Sequence, residues 1–196
     1  MNRPNFSSAT HQCARFSHDP KQSHVQAVIH LAEYLKGTRE HGIVMRPKGM
    51  ALECHVDADF CGNWHKLTAE HDPSTAKSIS GFIITYAGCP ISWLSKLQTQ
   101  VALFTTEAEY VALSTSLRGA IPIMNLLNEL KKRIFISNAS SAKIYCKEFE
   151  DNSGVLEMVR VPKMQPRTKH LNMIYNWFAS FVKDGSVKLF LVELAN

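Results

Sequence analysis

Apolar residues recur at helical spacing over residues 23–36. Val25, Val28, Ile29, Ala32 and Leu35 share one face there, and Gly37 follows as a stop. Residues 1–20 are polar and show no apolar period. From residue 51 the pattern changes. ALECHVDADF (51–60) alternates as a strand that ends in acids, and NWHKLTAEHDPSTAK (63–77) is a polar loop. SISGFIITYAG (78–88) and CPISWLSKLQ (89–98) read as two more strands, joined tightly at Gly88. Such short connections imply antiparallel pairing. Residues 99–132 begin extended and become a long helical pattern, which Gly119 and Pro122 interrupt. A kink or two abutting helices is predicted there. AKIYCKEFED (142–151) is a strand that again runs into an acid, and residues 152–158 suit a short helix. MQPRTKH (164–170) is a basic loop, residues 171–185 form an aromatic-rich helix, and residues 186–194 make a last strand. Three hairpin-linked strands followed by helix, strand, helix and strand predict an α/β chain with a mixed sheet covered by helices.

With 196 residues, 45% of them hydrophobic, the chain can bury a core, and it suits one domain with an appendage. The division is an N-terminal helix and linker over residues 1–50 and the α/β domain over 51–196. Charged residues at 20% lie below what a disordered chain carries. A formal charge of +5 favours phosphate-bearing or other acidic partners. The five cysteines are odd in number and include no CxxC pair, which argues against a disulfide framework and fits a reducing compartment. The first residues lack a signal-peptide core, and no run has the length of a membrane span. The expectation is an intracellular protein, cytoplasmic or nuclear, and not secreted.

Three acids end or begin elements. Asp57 lies two residues before Asp59 on one face of a strand whose apolar side is Cys54, Val56 and Ala58. Turn chemistry with Gly62 would explain both acids. Thr106 with Glu109 three residues on has the pattern of a capping box, and Glu107 suits the helix dipole. Asp151 stands where it would cap the short helix after it. Each local explanation is sufficient alone. Together the acids have a further possibility, because residues at the carboxyl ends of neighbouring strands converge on one crevice. Several carboxylates at one place suit hard divalent cations, and two such ions can clamp a phosphodiester undergoing hydrolysis.

At these residues the chain resembles the ribonuclease H domain of copia-type retrotransposon polyproteins. HVDADFCGNW resembles the family's first-strand motif. TAKSISGFIITYAGCPISWLSKLQTQVAL is similar to its K-S-x-S-G-Y/F and P-I-S-W-x-S-K-x-Q hairpin, and TTEAEYVALS to its S-T-E-A-E-Y-x-A-L helix start. EDNSG is similar to its third-acid motif, and PRTKHLNMIYNWF to its R-T-K-H-I-D-I-R-Y-H-F segment. ARFSHDPKQSHVQAVIHLAEYLKGTREHGI resembles the stretch that joins reverse transcriptase to ribonuclease H, so residues 1–50 resemble the end of a reverse transcriptase region.

The resemblance implies a ribonuclease H-like fold that cleaves the RNA strand of RNA–DNA hybrids. Asp57, Glu109 and Asp151 would be the catalytic acids and would hold two Mg²⁺ (or Mn²⁺) ions. Lys77, Lys96, Arg167, Lys169 and His170 are candidates for contacts to nucleic acid. The implied partners are the hybrid and a reverse transcriptase region of the same polyprotein. Two departures stand out. Asn172 sits where many relatives have Asp. A fourth acid, expected on a final helix just after the last strand, has no counterpart before Asn196. The expectation is therefore a C-terminally truncated domain. The alternative to an enzyme is an inactive remnant, or a nucleic-acid-binding module without turnover. Trp93, Trp177, Phe178 and Phe181 are expected to pack in the core, and Tyr175 and Trp177 could also stack on nucleotides.

Overall fold

Alternation builds the central strand. In β1 (Leu52–Asp59), Leu52, Cys54, Val56 and Ala58 are buried, while His55, Asp57 and Asp59 are exposed. The computed structural model describes residues 3–67, 70–134, 144–160 and 176–192. β2 (Ile79–Tyr86) runs antiparallel to β1 with Asp57 opposite Gly81, and β3 (Cys89–Leu97) runs antiparallel to β2. Ala87 and Gly88 join β2 to β3 with φ of 54° and 76°. Positive φ at both positions matches the twist of the flanking strands in a two-residue hairpin.

β4 (Cys146–Glu150) lies parallel to β1 on its other side, and β5 (Val187–Leu191) lies parallel to β4. The sheet order is β3-β2-β1-β4-β5. This is the expected mixed α/β sheet: an antiparallel half made of hairpins and a parallel half reached through crossovers. The last strand is shorter than predicted.

The crossover to β4 is one helix, α3 (Thr105–Ile134), with Pro122 inside it, and not two abutting helices. Two observations explain why. Pro122 is exposed, and so is Arg118, the residue whose carbonyl loses its helical partner to the proline. Gly119 faces the sheet, and a Cβ there would lie 3.3 Å from Ile84 Cδ1 and 3.5 Å from Phe82 Cζ. The glycine is a contact surface rather than a break. It lets α3 lie close on β2, and Ala108, Ala112, Leu113, Leu117, Ala120 and Met124 complete a core with Leu52, Cys54, Val56 and Ile84. After β4 come α4 (Ser153–Arg160) and, past a 3₁₀ turn at Asn176–Phe178, α5 (Ala179–Lys183). The predicted basic loop lies outside the described residues, as does the first part of the predicted helix over 171–185.

The N-terminal residues are more ordered than their polarity suggested. A 3₁₀ turn (Pro4–Phe6) leads into α1 (Ser7–Arg15), which touches β3. The apolar anchor is Phe6, edge-on to Tyr34 with ring centroids 5.2 Å apart, and one anchor leaves no period to read. α2 (Gln22–Gly37) forms as predicted, but its apolar face is open: Val25, Val28, Ile29 and Leu35 are 42–49% exposed. Among the described residues, no helix is long and apolar enough to cross a membrane.

Candidate functional site

The parallel register delivers two of the acids. Its last pair is His55 with Phe149, and continued by two residues it sets Asp57 level with Asp151 on neighbouring strands. α3 supplies the third. Glu107 Oε2 accepts from the Leu103 N–H at 2.8 Å, so Glu107, not Glu109, ties down the helix entry. Thr106 already lies inside the helix, and the predicted capping box with Glu109 does not form. Glu109 turns inward and is 7% exposed.

Asp151 is not the cap of α4 either. Asn152 Oδ1 accepts from the N–H groups of Gly154 at 3.0 Å and Val155 at 3.3 Å. Asn152→Ala is expected to cost about 1 kcal/mol, and Asn152→Asp far less, by urea denaturation. Equal stability of Asn152→Ala and the parent would refute the cap. Asp59 lies over a turn: a Cβ on Gly62 would stand 2.1 Å from its Oδ1, so any other residue there would make that exposed carboxylate swing aside.

Asp57, Glu109 and Asp151 each bring one carboxylate oxygen to within 4.8 Å of the other two. Burial pushes the Glu109 carboxyl up to about 8, and the charges of Asp57 and Asp151 add to this. Asp57 is also raised, by burial first and then by Asp151, while the Ala58 amide works against both shifts. Among the described residues, Glu109 Oε2 meets no hydrogen-bond donor although it is buried. Two oxygens on one divalent cation are separated by at most twice the metal–oxygen distance, roughly 4–5 Å. The cluster therefore matches one or two hard cations in donor type and in spacing, and the orphaned Glu109 oxygen is the atom that such a cation would satisfy.

Two buried acids escaped the sequence reading. Cys146, Glu148 and Glu150 share the inner face of β4, and both glutamates are 0% exposed. Burial pushes Glu148 up to about 8 and Glu150 up to about 9; Glu109 adds most among the charges acting on Glu150. Ser116 Oγ makes hydrogen bonds with the Leu113 carbonyl, at 2.8 Å, and with Glu148 Oε1. One hydroxyl proton serves only one of them. Both form when Ser116 donates to Leu113 and a protonated Glu148 donates to Ser116. The available signal was the two-residue alternation from Ile144, which sends 146, 148 and 150 to one side. On the opposite face Phe149 stacks between His55, at 4.6 Å, and Phe190, at 5.5 Å.

Of the predicted basic contacts, Lys77 is half-buried just before β2, and Lys96 is exposed on β3. Lys96 lines a cleft of about 340 Å³ with Gln98, Thr115 and Arg118, and Arg118 was not foreseen. Arg167, Lys169 and His170 lie outside the described residues, as do Asn172 and Tyr175. Phe178 is fully buried, and Trp93 and Phe181 are half-buried. Trp177 is 39% exposed and donates from Nε1 to Ser114 Oγ at 3.0 Å.

No protein-family model matches the chain. It is 30% identical over 191 residues to the retrovirus-related Pol polyprotein from transposon TNT 1-94 of Nicotiana tabacum. It is 32% identical over 189 residues to the polyprotein of the same description from transposon RE1 of Arabidopsis thaliana. These alignments take in 97% and 95% of the chain but 13% and 12% of the relatives, so the chain spans about an eighth of their length. Among solved structures, it is similar to a foamy viral protease-reverse transcriptase in complex with dsDNA. That likeness has a TM-score of 0.57 at 12% identity, covers all of this chain and 35% of that one, and speaks for the fold alone.

Proposed function

Because the chain belongs to the retrovirus-related Pol polyproteins of copia-type transposons and has a ribonuclease H-like fold, we propose that it hydrolyses the RNA strand of RNA–DNA hybrids. The observation that carries the proposal is the meeting of Asp57, Glu109 and Asp151 from three separate elements, with a buried Glu109 oxygen lacking a donor among the described residues. These three carboxylates would hold Mg²⁺ or Mn²⁺. Bound there, a pair of ions supplies activation of the attacking water and stabilisation of the leaving 3′ oxygen.

The protein's own groups do the rest. Asp57 and Asp151 form the open side of the cluster, toward solvent and substrate, and Glu109 forms its buried floor. Lys77 and Lys96, with Arg118 beside Lys96, present cations near the acid end of the sheet, where they would take phosphates and make affinity salt-dependent. Arg167, Lys169 and His170 belong to the same proposed interface. Contacts to 2′-hydroxyls in the minor groove would select RNA over DNA. Residues 1–50 act as the end of a reverse transcriptase region of the polyprotein, and the open apolar face of α2 suits a partner of that kind. The proposed setting is inside the cell, in cytoplasm or nucleus.

A labelled hybrid incubated with the purified chain tests this. Cleavage of the RNA strand with Mg²⁺ or Mn²⁺, abolished by EDTA and absent on duplex DNA, is the expected result. Binding without cleavage would leave a nucleic-acid-binding module, and cleavage that survives EDTA would sink the metal reading.

A further inference from the structure

A cleft of about 510 Å³ lies between the N-terminal segment and the loop that follows β1. Arg15 at the end of α1, then Phe16, then Lys21 and His24 around the start of α2 supply one wall. Asn63 and Asp72 of the loop supply another. Both ends of that loop are at the acid end of the sheet, because Asp59 pairs with Ile79. None of these side chains takes part in the chemistry proposed for the acid cluster.

The two walls are tied to each other. Arg15 donates from Nη2 to Ser74 Oγ at 2.9 Å and from Nη1 to Gln12 Oε1 at 3.1 Å. Ser74 Oγ donates in turn to Asp72 Oδ1, which also accepts from the Ser74 N–H at 3.0 Å. A guanidinium has five N–H groups, so Arg15 keeps others for a ligand. Phe16 and His24 stack with ring centroids 4.0 Å apart and planes 20° apart. His24 Nδ1 accepts from the Lys21 N–H at 3.1 Å, which places the proton of the neutral ring on Nε2. Asn63 Nδ2 is buried and meets no acceptor among the described residues.

Simple ligands do not suit this set. A bare anion would meet the carboxylates of Asp19 and Asp72 as well as Arg15 and Lys21. A metal ion needs several convergent ligand atoms, and among the described residues Asp57, Glu109 and Asp151 supply them while the cleft does not. A nucleotide uses every part. Its base can stack on the ring pair, and its phosphate can take Arg15 and Lys21. Its base edge carries both acceptors and N–H donors, which match the Asn63 amide and the Asp72 carboxylate. The volume falls in the range of small-ligand sites, roughly 300–1,000 Å³.

We propose that this cleft holds one unpaired nucleotide of a nucleic-acid strand, its base against Phe16 and His24 and its phosphate on Arg15 and Lys21. Such a nucleotide belongs to a single strand running on from the hybrid. The assignment does not depend on the metal reading of the acid cluster, since the cleft would take a strand whether or not the cluster cuts one.

Fluorescence anisotropy of a short fluorescein-labelled single-stranded RNA of mixed sequence, titrated with the full chain in EDTA, tests this without cleavage as a readout. The parent chain should bind it. Phe16→Leu keeps the apolar bulk and removes the aromatic face. It should weaken binding roughly 10-fold, the scale for losing one stacked base. Asn63→Ala, on the other wall, should weaken it about 5-fold. No binding by the parent, or unchanged affinity in Phe16→Leu shown to be folded by circular dichroism, overturns the proposal. Nucleoside monophosphates as competitors identify the source. The RNA should bind at least about 10-fold tighter than any of them, because a strand adds phosphate contacts. Equal affinities would overturn the strand and leave a free nucleotide as the ligand. If Phe16→Leu does not fold, the parent chain is photo-crosslinked to RNA carrying 4-thiouridine. Crosslinks are expected within residues 15–24 or 63–75, and crosslinks confined to other segments reject the assignment.

Discussion

Asp57→Asn is expected to lower cleavage of the hybrid by about 10³-fold and at the same time to raise the melting temperature of the metal-free protein. The two effects have one origin. Asp57, Glu109 and Asp151 bring carboxylate oxygens to within 4.8 Å of one another. Without a cation they repel, and the raised Glu109 carboxyl is one sign of it. Asparagine keeps the size of aspartate and removes one charge. Because Asp57 is exposed, solvent screens its part of the repulsion, and the gain should be at most about 1 kcal/mol, or roughly 2 °C. Glu109 should then titrate nearer the ordinary range. Single-turnover cleavage and a thermal melt in EDTA measure both. A variant that loses activity and stability in parallel would show Asp57 to be a structural residue, not a ligand.

The second large effect concerns pH. Metal-free protein should lose several kcal/mol of stability between pH 5 and pH 9. Glu148 and Glu109 are raised to about 8 and Glu150 to about 9, from an ordinary 4.5. A carboxyl whose folded pKa lies above its unfolded one holds its proton in the native state while the unfolded chain has released it. Its stabilisation is therefore complete below about pH 4.5 and disappears as pH climbs through 8 to 9, at up to about 1.4 kcal/mol per pH unit per group. Glu148 isolates the effect, because it is fully buried and stands apart from the three proposed ligands. The two hydrogen bonds of Ser116 Oγ, to the Leu113 carbonyl and to Glu148 Oε1, are both satisfied when Glu148 is protonated. Glu148→Gln can still donate to Ser116. It should match the parent near pH 5 and exceed it by about 3 kcal/mol at pH 8.5 in urea melts with EDTA. A parent stability that is flat across this range would show the glutamates to be ionised in the fold.

What the sequence made legible follows from which forces leave a pattern. The alternation of Cys54, Val56 and Ala58 against His55, Asp57 and Asp59 revealed β1 and its inward face. The tight spacing at Gly88 revealed the hairpin. The three acids were each explicable as caps or turns, and two of those local explanations belonged to neighbours: Glu107 ties the entry of α3 and Asn152 caps α4. Spacing cannot tell adjacent acceptors apart, since one residue of slip changes which oxygen meets the free N–H groups. Gly119 misled for a related reason. A glycine that weakens a helix and one that lets a helix approach a sheet look alike until Ile84 and Phe82 are in position. Glu148 and Glu150 were missed because their polarity argues for solvent, and for Glu148 only its partners on α3 and β1 explain why it is inside.

The parallel pairing of β1 with β4 also orders events during synthesis. Asp57 and Glu109 leave the ribosome while the strand that carries Asp151 has still to be made. The β1–β2–β3 meander can close early, since its contacts are local, but β4 must travel back across the whole of α3 to find β1. Until it does, two of the three acids lie near each other with nothing to complete the set. The nascent polypeptide thus passes through a stage that has a folded hairpin sheet and an incomplete set of acids, and the pairing of β4 with β1 completes the set.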